Sequence, residues 1–288
     1  MFVAFIMFIF IVLAIVLMFG LIPKKCTQEY DSPLNFVMYQ EPGAVYTDQL
    51  VNKWVPKKWR SDGDRIPCRI ELYEEDKRNN DERNVILYSH GNAENLLSCV
   101  QFVRELSTLT KMDTVCWDYS GYGLNTFAKD ERTMDGVNRT IHHVYESLIE
   151  DGYKLENMIF MGYSLGTGPS TWITSKLCQE EEIKPAGLIL FGAYSSILDV
   201  VADLSHPKLA EMFEERWNSE KEIPNVTCPI LLLHGQSDGM IKVEHSKKLK
   251  AANDQAKLVI LPNVGHTSFS WNDSIKEIRE WLGSNSVN

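Results

Sequence analysis

A mostly parallel β-sheet covered by helices on both faces, an α/β fold, is what this 288-residue sequence predicts. Three observations predict it. Short apolar runs (VILY, MIFM, LILF and ILLL) carry no interleaved charge, as strands buried on both faces require. Longer stretches between them repeat apolar residues every three or four positions, the period of a helix with one buried side. The two kinds of segment alternate along most of the chain, which selects a sheet wound on both faces over a sandwich or a helical bundle. The bulk numbers agree. The length fits one large domain, and 44% hydrophobic with 24% charged residues is a globular composition, not a disordered one. A formal net charge of -10 disfavours nucleic acid as a partner, because phosphate backbones recruit basic surfaces.

Residues 1–23 open on MFVAFIMFIFIVLAIVLMFGLI, which has no charged side chain. At a rise of about 1.5 Å per residue, one helix of this length crosses a hydrocarbon layer of ~30 Å, so a single transmembrane signal-anchor helix is expected, with the lipid bilayer as a partner. The competing reading is a cleaved signal peptide, which normally has a basic start and an apolar run of about 7–15 residues; neither is found here. Lys24 and Lys25 follow the span and no basic residue precedes it, which places the remaining chain on the cytoplasmic side. On the lumenal alternative, the sequons starting at Asn138, Asn225 and Asn272 would be open to glycosylation. Residues 24–48 read as a juxtamembrane linker, in which Cys26 is placed as a free or an acylated thiol. The six cysteines form no CxxC pair and the seven histidines are scattered, so no metal and no cofactor is expected.

Residues 49–288 form the body. VPKKWRSDGDRIPCRIELY reads as a turn and then a strand, with Ile66, Cys68, Ile70 and Leu72 alternating. EEDKRNNDER is a charged, solvated loop. NVILYSHG is a strand ending in glycine, and ENLLSCVQFVRELSTL a helix with Leu97, Val100, Phe102, Val103 and Leu106 on its apolar side. DTVCWDYSGYG is the next strand, followed by a helix on Val137, Ile141, Val144 and Leu148. NMIFMGYSLG runs from strand into turn, and SLGTGPSTWITSKL continues as a helix. AGLILFGAYSS, CPILLLHGQSD and AKLVILPNVGH are further strands, and SIKEIREWL closes the chain as a helix on Ile275, Ile278 and Leu282. Between 196 and 225 the rhythm breaks. There DVVADLSHPKLAEMFEERW reads as an amphipathic helix, either covering the sheet or inserted over its edge.

In such sheets ligands bind beyond the carboxyl ends of the strands, and the polar residues of interest lie there. Ser164 follows MIFMGY directly, with Gly162 and Gly166 two positions to either side. A strand turning at once into a helix crowds its junction; glycine relieves the crowding and the serine takes the strained apex. The alternative is a tight turn without chemistry. A serine hydroxyl needs a base to become a nucleophile. His266, just past the last strand, is the candidate; His245 lies in a polar helix start and reads as a surface residue. The base in turn needs an orienting carboxylate. Asp238 occupies the loop after the preceding strand, a context that Asp203 and Asp113 lack. Oxyanion donors are expected from the backbone N–H of Leu165 and from the loop YSHGNAEN, where Gly91 permits close approach and the N–H of Asn92 is the candidate, with Ala93 second. His90 reads as a prop for that loop, with a catalytic base as its alternative, and His234 as framing for the acid loop. Tyr119 and Tyr122 in WDYSGYG read as site wall.

Taken together and in order, SHGNAEN, WDYSGYG, MGYSLGTGPS, HGQSD and VGH resemble the α/β-hydrolase serine hydrolases, most of all the branch of membrane-associated protein depalmitoylases and Bem46-like proteins. The resemblance covers nearly everything after residue 50, and DGDRIPCRIEL is similar to the strand pair that opens that fold. It implies the α/β-hydrolase fold, a nucleophile at Ser164, an acid at Asp238, a base at His266, an oxyanion loop at Gly91, Asn92 and Ala93, and action on long-chain acyl thioesters or esters. Depalmitoylases of that branch carry an acylated N-terminal cysteine cluster, whereas this chain has an apolar helix and Cys26 alone nearby, as Bem46-like members have the helix. The expected activity is removal of palmitoyl groups from proteins. Hydrolysis of monoacylglycerol, lysolipid or small esters is the second reading, a membrane-tethered binding module that keeps the fold without catalysis the third, and a peptidase the fourth.

Overall fold

The computed structural model describes residues 50–58, 65–73, 77–92, 94–125, 133–268 and 271–285. The N-terminal span, the linker and Cys26 lie outside them. Among the described residues no helix is long and apolar enough to cross a membrane. The strands are β1 (Lys53–Pro56), β2 (Arg65–Glu71), β3 (Val85–Ser89), β4 (Asp113–Trp117), β5 (Met158–Tyr163), β6 (Gly187–Phe191), β7 (Ile230–Gly235) and β8 (Lys257–Leu261). They form an eight-stranded sheet in the order β1-β2-β4-β3-β5-β6-β7-β8. The pairs β1–β2 and β2–β4 are antiparallel, and all other pairs are parallel. The strand β1 overlaps the start of the stretch read from sequence as a turn and is not foreseen there. Its four residues are too few to show an alternating pattern.

The helices are α1 (Leu96–Thr110), α2 (Met134–Glu150), α3 (Thr167–Glu180), α4 (Ile197–Leu204), α5 (Pro207–Ala210), α6 (Ser219–Glu222), α7 (Val243–Ala252) and α8 (Trp271–Ser284). Successive strand side chains point to opposite faces, and this divides the core in two. Val85, Leu87, Phe160, Leu188, Leu190 and Leu232 pack with α2, α3 and α4 on one face. Ile86, Tyr88, Ile159, Met161, Ile189 and Leu231 pack with α1 and α8 on the other. Two buried layers explain why the central strands carry no charge.

Two helices differ from the sequence reading. The buried side of α1 runs through Leu96, Cys99, Val103 and Leu106, while Leu97 is exposed. The first turn is fixed by its caps: Asn95 accepts from the Ser98 N–H, and Asp118 Oδ1 accepts from the Leu96 N–H at 2.9 Å, which turns Leu96 inward. The amphipathic stretch after Ser196 is not one helix. It breaks between α4 and α5 because Pro207 has no N–H to continue the ladder and disfavours helical backbone at His206.

The sequon at Asn138 falls away. Asn138 is buried within α2, and its Oδ1 accepts from the Trp217 indole at 2.9 Å, so the folded chain has no room for a glycan there. Asn225 is exposed.

Candidate active site

The site is built at the end of β5. Ser164 is held at φ 50°, a left-handed backbone that a non-glycine residue adopts only under constraint. The constraint is visible on either side. A Cβ at Gly162 would lie 2.3 Å from the Gly166 carbonyl oxygen, and one at Gly166 would lie 2.0 Å from the Ser89 oxygen. Only glycine at both positions lets the turn fold this tightly against the end of β3, and the serine is left at the apex, just before α3.

His266 arrives on the loop after β8. Its Nε2 is 2.9 Å from Ser164 Oγ, and its Nδ1 is 2.7 Å from Asp238 Oδ2. Asp238, on the loop after β7, is fixed by its second oxygen: Oδ1 accepts the N–H groups of Met240 (2.9 Å) and Ile241 (2.8 Å). Burial pushes its carboxyl upward, but the hydrogen bond and charge of His266, aided by the two N–H donors, outweigh it, and the net shift is downward. Asp238 is therefore a carboxylate, able to hold the imidazole with Nδ1 protonated and Nε2 facing the serine. The three side chains selected from strand ends thus stand in one hydrogen-bonded chain.

His234 braces the acid loop from behind. It is fully buried, with Nδ1 2.7 Å from Ser246 Oγ and Nε2 2.8 Å from the Ile241 carbonyl. Burial holds its pKa below the ordinary value.

The loop after β3 packs against the turn. A Cβ on Gly91 would meet Glu94 Oε2 and the Tyr163 ring, each at 2.9 Å, so glycine lets this loop lie close against the residue that precedes Ser164. Ala93 lies outside the described residues. His90 does not reach the triad: its Nδ1 donates to the Gly91 carbonyl at 2.8 Å, and its ring stacks on Tyr119 at 3.9 Å. Desolvation lowers its pKa to about 4, so it is neutral at physiological pH. Tyr119 and Tyr122 are buried supports of this loop and not an open wall. Tyr119 donates to the His90 carbonyl at 2.5 Å and Tyr122 to Asn92 Oδ1 at 2.7 Å.

His245 is not a surface residue. It is 2% exposed, and its Nδ1 lies 2.8 Å from Ser195 Oγ and 3.2 Å from the Ser195 N–H. Its Nε2 is 3.5 Å from Asp203. This second serine–histidine–aspartate cluster joins the start of α4 to α7. Ser195 is fully buried and its hydroxyl also donates to Asp199 at 2.5 Å, so the cluster is a structural latch. The helical period of EHSKKLK had hidden the burial because only His245, Ser246 and Leu249 face inward. Asp113 is likewise structural, buried in contact with Arg83 and accepting from Tyr153 at 2.7 Å.

Two site residues escaped the sequence reading. Tyr163 donates to the His266 carbonyl at 2.8 Å. Glu94 accepts the Gly91 N–H at 2.5 Å, with a pKa raised by burial against the pull of that N–H and of His266. Tyr163 stood in plain view between Gly162 and Ser164, yet nothing local shows what its hydroxyl reaches.

No protein-family model matches the chain. Among curated proteins it is 30% identical over 223 residues to protein L404 of Acanthamoeba polyphaga mimivirus, named as an alpha/beta hydrolase, covering 76% of this chain and 80% of that one. It is 27% identical over 191 residues to the lysophosphatidylserine lipase ABHD12 of Danio rerio, covering 60% of this chain and 48% of the relative. The chain spans about half the length of such animal relatives, including an alpha/beta hydrolase domain-containing protein 17C of Xenopus tropicalis at 29% identity, of which it covers 49%. Among solved structures, Est1E from Butyrivibrio proteoclasticus superposes with a TM-score of 0.62 at 14% identity, covering 82% of this chain and all of that one; at that identity the likeness shows the fold.

Proposed function

Because the chain belongs to the α/β-hydrolase family, we propose that it is a membrane-anchored serine hydrolase that cleaves long-chain acyl thioesters, with palmitoyl-protein hydrolysis as its reaction. The observation that carries the reading is the chain Ser164 Oγ–His266 Nε2–Asp238, with 2.9 and 2.7 Å links. His266 takes the Ser164 proton as Oγ attacks the acyl carbonyl. The backbone N–H groups of Asn92 and Leu165 receive the oxyanion, and His266 hands its proton to the departing sulfur. Water, deprotonated by the same imidazole, then attacks the acyl-serine and releases the fatty acid and the free enzyme. Asp238 keeps the imidazole in the productive tautomer throughout. The reaction needs no cofactor. On this reading the apolar stretch 1–23 anchors the chain in a bilayer with the site on the cytoplasmic side, where acylated proteins present their chains. The motif resemblance to depalmitoylases supports the thioester.

A second reading, hydrolysis of a lysolipid or monoacylglycerol ester, is favoured by the similarity to the lysophosphatidylserine lipase of Danio rerio. The same serine and oxyanion groups serve either leaving group. The test is labelling of the full-length protein with a fluorophosphonate, followed by competition between a palmitoyl-thioester peptide and a lysophospholipid. Labelling lost in Ser164→Ala and faster turnover of the peptide are expected, together with a rise in hydroxylamine-sensitive acylation of cellular proteins in cells carrying Ser164→Ala. Faster turnover of the lysophospholipid would move the assignment to the second reading, and absence of labelling would leave a binding module.

A further inference from the structure

A cluster of metal-ligating side chains lies on α2, outside the hydrolase machinery. His142 Nδ1 is 3.7 Å from Glu146 Oε1, and His143 Nε2 is 3.8 Å from Glu146 Oε2. One ligand atom from each of the three residues lies within 4.8 Å of the others. The carboxylate therefore faces two imidazole nitrogens at distances too long for hydrogen bonds and close to the spacing of atoms that share an ion. Ligands at ~2.0–2.1 Å from a tetrahedral zinc stand about 3.4 Å apart, which small side-chain rotations would reach here. His143 is already oriented for this. Its Nδ1 donates to the Arg139 carbonyl at 3.0 Å, which leaves the lone pair on Nε2, the arrangement in which zinc-ligating histidines are usually held.

A second feature adjoins the first. His142 and Glu146 line a cavity of about 370 Å³ whose other walls include Lys58, Glu150, Glu180 and Glu181. Lys58 is hydrogen-bonded to Glu150 at 2.6 Å, and Lys176 to Glu180 at 2.6 Å. Of the four carboxylates around the cavity two are paired with lysines, so a negative charge remains and the local field favours a cation. The individual spacing His-His-x-x-Glu carries no signal in the sequence, because it becomes a cluster only when one helical turn brings position 146 under both imidazoles.

We propose that His142, His143 and Glu146 bind a zinc ion, with the fourth position open to water in the cavity. Two imidazoles and a carboxylate are a zinc donor set; calcium and magnesium favour oxygen ligands alone. The site is independent of the triad and of the hydrolase reading.

The experiment titrates ZnCl2 into the metal-stripped, full-length protein in detergent, followed by calorimetry and by thermal unfolding, with Co2+ in a parallel titration to report coordination in the visible spectrum. One equivalent of Zn2+ and a raised Tm are expected, with Co2+ giving the intense bands of a four-coordinate site. His142→Ala and Glu146→Gln are each expected to weaken Zn2+ binding at least tenfold and to abolish the rise in Tm. Unchanged circular dichroism and unchanged fluorophosphonate labelling of the metal-free variants establish that they fold; His142→Gln replaces His142→Ala if the alanine variant does not. His266→Ala keeps the binding if the site is on α2. No Zn2+ binding by the unaltered protein, equal affinity in the α2 variants, or loss of binding in His266→Ala would each overturn the proposal.

Discussion

The hydroxyl of Tyr163 donates to the backbone carbonyl of His266 at 2.8 Å, and its ring stacks on the imidazole with centroids 5.6 Å apart and planes 26° from parallel. The residue just before Ser164 thus anchors the loop of its hydrogen-bond partner, 103 positions further along the chain. The turn that positions the serine and the loop that positions the histidine are coupled through one side chain.

Tyr163→Phe keeps the stacking and deletes the hydrogen bond. A neutral hydrogen bond contributes about 1 kcal/mol, so kcat on an acyl ester or thioester should fall roughly fivefold with little change in KM. Steady-state kinetics check this; kcat equal to that of the unaltered protein would show that the His266 loop holds itself.

Gly166→Ala should be among the most damaging single substitutions. The new Cβ would fall 2.0 Å from the Ser89 oxygen and 2.7 Å from the His90 oxygen, both backbone atoms that cannot swing away. The turn must open, so a loss of stability above about 3 kcal/mol and of fluorophosphonate labelling is expected. Urea unfolding and labelling of the same preparation measure the two.

Asp238→Asn preserves shape but removes the charge that holds His266 in its productive tautomer. In serine hydrolases with this arrangement the corresponding change lowers kcat by about 10⁴, and a loss of at least ~10³ is expected here. Asp238 also links to pH. Its folded pKa is depressed below the ordinary aspartate value of 3.8, so its contribution to stability is present above that value and lost as the pH falls through the lower folded one. Asp238→Asn should therefore flatten the most acidic part of the stability profile.

His90 governs a higher window. Burial lowers its pKa from 6.5 to about 4, and its Nε2 has no hydrogen-bond partner among the described residues. The unfolded chain takes up a proton below pH 6.5 that the folded chain refuses. Its contribution is complete above 6.5 and is lost as the pH falls toward 4, amounting to roughly 3 kcal/mol. Urea midpoints measured across that interval should fall less steeply in His90→Asn than in the unaltered protein. Parallel curves would show that the histidine is solvated in solution.

Much of this architecture is written locally. The unbroken apolar strands, the helical period of Val137, Ile141, Val144 and Leu148, and the Gly-x-Ser-x-Gly turn are relations between near neighbours, and the backbone periods of two and 3.6 translate them directly into faces and junctions. Where a local rule had two solutions, the reading slipped. In α1, Leu96 and Leu97 compete for the inward position, and the choice falls to Asp118, 22 residues away from the Leu96 N–H it binds. Around His245 a polar sequence concealed a buried face.

The sequence by itself determined the class of sheet, the succession of strands and helices from residue 65 to 191, and which strand ends carry a serine, an aspartate and a histidine, because each follows from composition and spacing within about one helix length. Only the tertiary structure decided which histidine meets which serine. Ser164 with His266 and Ser195 with His245 are both within hydrogen-bonding distance, and what separates them is burial and the partners around them. Those depend on contacts between residues 50 to 103 positions apart, set by how the sheet stacks its strands side by side, and no period along the chain records them.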